Sequence, residues 1–485
     1  MIHPVFRMLE ALFLALVVSG CASVGPDYVR PEPNAPASWN TALSAGLNNH
    51  TTDSHELARW WSTLHDPVLS NVIDQAISGN LDLKNARARV QEARARRGIA
   101  TAAWFPSIDA TGTYTKNRMS GNSSGFATEQ DLYAAGFDAA WELDVFGGVR
   151  RTVEAADADL EAAGEGLHDT LISLLAETAV NYVDVRTFQT RLTAAADSLD
   201  LQQQTYELTR YRRQAGLSDE LAVSQARYNL ETTRAQIPIL RAGLAEAMNR
   251  LSVLTGQPPG AINKIMAESR PIPVTPMTVA VGVPAETLRQ RPDVRKSERA
   301  LAAQTARIGA AVADLYPKFR LTGVIGLEAL SSGDLFSSGS RVWRYGPGIS
   351  WPVFDGGAIR QNINVQTALQ EQAFIQYETT VLTALEETEN ALNAFVEEQH
   401  RRDALTEAVA AATQAAQLSE DKFSAGLEDF STVLEAQRSL ISLRDQLGQS
   451  EGAVTAHLIR IYKAMGGGWT YLSDELKIKN QEQMR

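Results

Sequence analysis

The residues of this 485-residue chain that could do chemistry are seven histidines, a large set of carboxylates and one cysteine. No two histidines stand in a His-x-x-x-His pair, the helical spacing that grips zinc. Gly466-Gly467-Gly468 lacks the Lys-Ser/Thr that follows in a phosphate-binding loop. Glu386-Glu387 lies in a long helix-forming run and reads as a solvated face rather than an acid/base pair. Arg94, Arg96 and Arg97 read the same way, and a net charge of −12 argues against a nucleic-acid partner. Enzyme chemistry, a bound metal and a cofactor are therefore not expected. What remains is the thiol of Cys21. As the only cysteine it excludes a disulfide, so packing alone must hold the fold. It ends a leader with Arg7, an apolar run from Ala11 to Val18 and the small pair Ser19-Gly20. That run is too short to span a bilayer and reads as a secretory signal over 1–20.

Leu16-Val17-Val18-Ser19-Gly20-Cys21 resembles the lipobox of bacterial lipoproteins. The resemblance implies cleavage before Cys21 and a covalent lipid on its sulfur. Several acyl chains on one residue anchor stably where one would not. Ala22 in place of aspartate implies the outer membrane, with the chain in the periplasm.

The rest of the chain is written twice, at a shift of roughly 210 residues, far beyond any solenoid period. Phe105-Pro106-Ser107-Ile108 returns as Tyr316-Pro317-Lys318-Phe319, and Val145-Phe146-Gly147-Gly148 as Val353-Phe354-Asp355-Gly356-Gly357. Ala215-Gly216-Leu217 with Asp219 returns as Ala425-Gly426-Leu427 with Asp429. The divisions expected are an extended segment 21–59, a first repeat 60–257, a Pro-rich extended linker 258–284, a second repeat 285–468 and a tail 469–485.

Within each repeat two segments alternate with period two, the signature of strands. They cover about 107–117 and 131–145, then about 318–328 and 343–353. Tyr133, Phe137 and Trp141 oppose Asp138 and Glu142; Phe319, Leu321 and Ile325 oppose Lys318, Arg320 and Thr322. Strands of this length, with aromatics near their ends, suit a transmembrane β-barrel. Four strands cannot close one, and an open edge in lipid leaves backbone groups unpaired. The chain must therefore oligomerise. Long helices are expected over about 151–213, 218–255, 361–423 and 428–465. Val381, Leu385, Thr388, Leu392 and Phe395 step with coiled-coil spacing. Pro238 should interrupt and kink its helix.

These features, with Gly25-Pro26-Asp27-Tyr28, Trp60-Trp61, Asp66-Pro67, Arg291-Pro292-Asp293-Val294 and Tyr462-Lys463-Ala464-Met465-Gly466, resemble the outer-membrane factors of tripartite efflux pumps. This is the TolC/OprM/NodT lipoprotein group, and the likeness is greatest to OprM-type drug-efflux members. The resemblance implies a mainly α fold with a membrane β-barrel portion. It implies a homotrimer whose twelve strands form one barrel, continued by a periplasmic α-helical barrel. Its partners would be a periplasmic adaptor, an inner-membrane RND transporter and outer-membrane lipid. It further implies that Gly216, Leu217, Gly426 and Leu427 are adaptor-contacting tips. By the same resemblance Glu435, Arg438, Ser431 and Thr432 stand at the periplasmic gate, with Phe430 a candidate for its apolar part. A Glu435 ring would favour cations. The implied function is a passive exit duct for drugs or other small toxic compounds. The alternatives are metal-ion efflux, type I protein secretion and, from another class, a non-channel periplasmic coiled-coil lipoprotein or adaptor.

Overall fold

The computed structural model describes residues 23–50, 57–120, 122, 129–274, 276 and 278–469. In chain order the elements are β1 (Leu47–Asn48), α1 (Pro67–Gly79), α2 (Leu81–Ala102), β2 (Ser107–Arg118), β3 (Glu129–Leu143), α3 (Gly148–Gln214) and α4 (Glu220–Leu254). There follow β4 (Val279–Ala280), α5 (Pro284–Gln290), α6 (Pro292–Ala313), β5 (Lys318–Ala329), β6 (Arg341–Ser350), α7 (Ala358–Ser424) and α8 (Phe430–Ala464). Helices α3 and α7 each have 67 residues, about 100 Å at 1.5 Å per residue. The chain divides into two compact units.

The first unit (Met1–Glu32, Arg89–Gly164, Lys296–Glu378) holds an antiparallel sheet of order β2-β3-β5-β6. Its register puts like with like. Tyr114 faces Tyr133, Phe137 faces Ile325, and Ile325 faces Trp343. One face is thus apolar across all four strands, and Ile108, Phe137, Ile325, Trp343 and Tyr345 on it are exposed. The other face carries Asp138 bonded by Thr111 Oγ1 at 2.8 Å and an Arg320–Glu142 pair at 3.3 Å. In this chain β2 and β6 each pair on one side only.

The duplication survives as geometry. Trp141 Nε1 donates to the Trp104 carbonyl and Trp351 Nε1 to the Leu315 carbonyl, both at 3.0 Å. Asp144 accepts from the Val149 and Arg150 amides, and Asp355 from Gly357 and Ile359, so a carboxylate caps the start of each long helix. Those backbone donors hold the Asp355 carboxyl below its ordinary range. Two strand ends fall short of expectation. β3 stops at Leu143, leaving Val145 outside, and β6 stops at Ser350. The partner strand β5 begins at Lys318, which faces Ser350, so Trp351–Val353 have no ladder to join despite their alternation.

The segment from Ser23 to Tyr28 is strapped down within this unit. Arg151 donates to the Val24 carbonyl at 3.1 Å and to Asp27 at 2.6 Å, while Tyr28 Oη donates to Glu298 at 2.7 Å. Gly25 has φ +88°, and a Cβ there would lie 2.4 Å from the Gly309 Cα. Only glycine fits.

The second unit (Pro33–Ala88, Glu165–Arg295, Thr379–Arg485) explains the remaining motifs. Asp66 caps α1 by accepting from the Val68 and Leu69 amides, and Tyr182 Oη donates to its other oxygen. Trp60 stacks on Tyr462 at 5.4 Å. Buried Arg291 donates to the Ala464 carbonyl at 3.1 Å and pairs with Asp293 and Glu387. It thereby satisfies an orphan acceptor at the end of α8. The coiled-coil positions Val381, Thr388, Leu392 and Phe395 are buried.

Two expectations are corrected in this unit. The 258–284 linker is not simply extended: it contains a helical turn, Asn263–Met266, and β4, which pairs in parallel with β1. Pro238 does not interrupt its helix: α4 runs unbroken from Glu220 to Leu254 with the proline inside it. The carbonyl freed by the missing N–H belongs to Arg234, an exposed residue, where water can satisfy it.

Candidate functional site

The two helix-to-helix tips and the return helices behind them form the candidate site, all within the second unit. Gly216 and Gly426 both have φ +75°. The Leu217 amide donates to Arg212 O at 2.8 Å and the Gly216 amide to Arg213 O at 2.9 Å; Leu427 to Lys422 and Gly426 to Phe423 repeat the pattern at 2.9 and 3.0 Å. These are Schellman caps, which turn the chain sharply and leave the next side chain outside. Leu217 is 69% exposed and Leu427 77%, so both tips present a leucine knob.

Behind the tips, Ala222 and Ala226 of α4 pack on Phe430, Val433 and Leu434 of α8, with Tyr206 and Phe423 against them. Phe430 is therefore a core residue, its ring 5.1 Å from that of Phe423, and does not supply an apolar gate. Ala at the facing positions lets the two helices approach closely enough to enclose it.

Ser431, Thr432, Glu435 and Arg438 are all exposed on α8. Thr432 Oγ1 donates to Glu428 at 3.2 Å. Glu435 and Arg438, one turn apart, line a cavity of about 730 Å³ with Gln202 of α3 and with Asn229, Thr232 and Thr233 of α4. The Arg438 guanidinium lies 5.8 Å from the Tyr228 ring centroid on α4. It reaches the neighbouring helix through an aromatic face and makes no pair with Glu435. Gln202 and Asn229 were not legible as site residues. Gln202 sits in the run Gln202-Gln203-Gln204, and only the phase of α3 against α8 selects it. Cys21 lies outside the described residues.

The geometry is that of a passive structure: exposed knobs, a carboxylate and a guanidinium on one helix face, and an amphipathic sheet. The family description "Outer membrane efflux protein" matches residues 72–257 and 283–467, one stretch for each half of the duplication. The chain belongs to the outer membrane efflux protein family. It is 32% identical over 432 residues to nodulation protein T of Rhizobium leguminosarum biovar trifolii, covering 88% of this chain and 90% of that one. It is 30% identical over 482 residues to the toluene efflux pump outer membrane protein TtgF of Pseudomonas putida, covering 96% and 98%. The structure of the outer-membrane channel OprN superposes with a TM-score of 0.87 at 34% identity, over 92% of this chain and all of that one. This outer membrane efflux protein has the TolC-like channel fold. It is a Gram-negative outer-membrane exit channel extending into the periplasm, and not an enzyme.

Proposed function

We propose that three copies form one duct: a twelve-stranded barrel in the outer membrane, continued by a helical tube through the periplasm. The observation that supports this most directly is the four-stranded sheet, which has a continuous apolar face and two strands paired on one side only. In lipid such edges must pair with something, and a second and third copy supply them. The fold is tethered by lipid on Cys21. The Leu217 and Leu427 knobs meet a periplasmic adaptor, which joins the duct to a proton-driven RND transporter in the inner membrane. Glu435, repeated about the three-fold axis, makes a negative ring near the narrow end, with Arg438, Ser431 and Thr432 beside it. The cargo is drugs or other small toxic compounds, in keeping with the toluene pump component among its relatives.

Planar-bilayer recording of the purified full-length protein tests this. Discrete, cation-preferring conductance from a trimer is expected, with the preference reduced in Glu435→Gln. A stable monomer that conducts nothing would sink the proposal. Deletion of the chain should raise sensitivity to antibiotics, dyes or solvents; sensitivity to metal ions alone would favour metal-ion efflux.

A further inference from the structure

Two amides behind the gate residues lack hydrogen-bond partners. Gln202 and Asn229 are 4% and 5% exposed, yet Gln202 Oε1 and Asn229 Nδ2 have no partner. Buried polar atoms are almost always satisfied, so each exception asks for a reason. Both line the cavity that Glu435 and Arg438 also line. The unmet needs are complementary. Gln202 Oε1 is an acceptor without a donor, and Arg438 carries five N–H donors, with its guanidinium near the outer limit of contact with the Tyr228 ring. Asn229 Nδ2 is a donor without an acceptor, and Glu435 is an acceptor without an ion pair among the described residues. The third charged group of the cavity, Asp445, is held by Arg191 at 2.7 Å and does not compete.

We propose that Gln202 and Asn229 are the receptors of a withdrawn state of the gate, in which Arg438 hydrogen-bonds Gln202 and Glu435 hydrogen-bonds Asn229. The inference rests on the duct reading and adds its regulation. Arg438 leaves Tyr228 for Gln202 and Glu435 swings to Asn229, both moving deeper into the cavity they already line, and the charged ring is cleared without unwinding a helix. The site then has two hydrogen-bonding arrangements, and whatever the tips bind need only shift α8 against α4 to favour the second. The amides are positioning residues for the gate.

Planar-bilayer recording of the full-length trimer tests this through hydrogen-bonding valence. Gln202→Glu keeps the acceptor and adds charge opposite Arg438, so the occupancy of the open level should rise about tenfold, the gain of a charge-assisted over a neutral bond. Gln202→Leu removes the acceptor and Asn229→Asp the donor; each should lower it about tenfold. Glu435→Gln should restore Asn229→Asp, because the new amide can donate. The two isosteric variants decide the matter if the leucine variant fails to assemble on a semi-native gel. Gln202→Glu and Gln202→Leu moving the same way, or Asn229→Asp behaving as wild type, would overturn the inference while the duct stands. A silent wild-type protein would overturn both.

Discussion

Ile325 offers the most direct test of which sheet face meets lipid. It lies in β5 between Phe137 and Trp343 in register, and is 66% exposed in the chain. The apolar-face positions of β5 run from Phe319 to Ala329, which places Ile325 one residue from their centre. Arginine at such a depth on a barrel's outer face costs about 2–4 kcal/mol per chain. Over three copies that is about 6–12 kcal/mol, comparable to the whole stability of a domain. The control is Thr322→Arg on the same strand. Thr322 is exposed on the opposite face, opposite Ala140 and Gly346 and near Glu142. A change on a watered face stays within about 0.5 kcal/mol. The assay is the amount of heat-modifiable trimer in isolated outer membranes at matched expression. Ile325→Arg should be nearly absent and Thr322→Arg near wild type. If the two variants assemble equally, or Thr322→Arg is the worse, the face assignment is wrong.

Leu217→Asp with Leu427→Asp should abolish efflux in cells while leaving bilayer conductance unchanged, because both side chains are exposed at the turns; lost conductance would make them packing residues. His457 on α8 gives a pH signature. Burial, then nearby Arg460, pushes its pKa below the usual imidazole value, and Arg460 Nη1 donates to its Nδ1 at 2.9 Å. The folded state thus resists a proton that the unfolded chain accepts. Stability conferred above the ordinary imidazole pKa of about 6.5 is lost as pH falls below it. Thermal inactivation of wild type should quicken from pH 7 to pH 5.5, and His457→Gln should flatten that slope; parallel profiles would remove His457 as the cause.

Period-two alternation was enough to find four strands because the sheet pairs apolar residue with apolar residue across every ladder. It was not enough to end them. Trp351 and Val353 continue the alternation, but β5 begins at Lys318, opposite Ser350, and leaves them no partner. The tips were legible because a left-handed turn selects glycine whatever surrounds it. The cavity was not. Gln203 and Gln204 bond outward, to Glu207 at 2.7 Å and Asp200 at 2.8 Å, while their neighbour Gln202 is buried. Residue type cannot separate the three; the packing of three helices does. Arg291 stands between these cases. Its motif was visible, but its bond to the Ala464 carbonyl joins residues 173 apart in sequence.

The duplication also shows where the two halves have parted. At the first tip Arg213 and Glu220 form an ion pair at 2.6 Å, 52% and 64% exposed. A shift of about 210 residues carries these positions to Phe423 and Phe430, whose rings pack at 5.1 Å within a buried cluster. An exposed ion pair contributes about 0–1 kcal/mol and weakens with salt. An aromatic pair contributes about 0.5–1.5 kcal/mol beyond the area it buries, and salt barely touches it. The caps are alike and the clasps are not. The first tip carries an exposed ion pair, and the second an aromatic pair inside a core to which the first hairpin also contributes Ala222, Ala226 and Tyr206. Arg212, whose guanidinium sits 4.4 Å from the Phe423 centroid, joins the polar clasp to the apolar one. The exposed first tip thus has a short physical route, through Arg212 and Phe423, to the cluster around Phe430 on α8, the helix that carries Glu435 and Arg438.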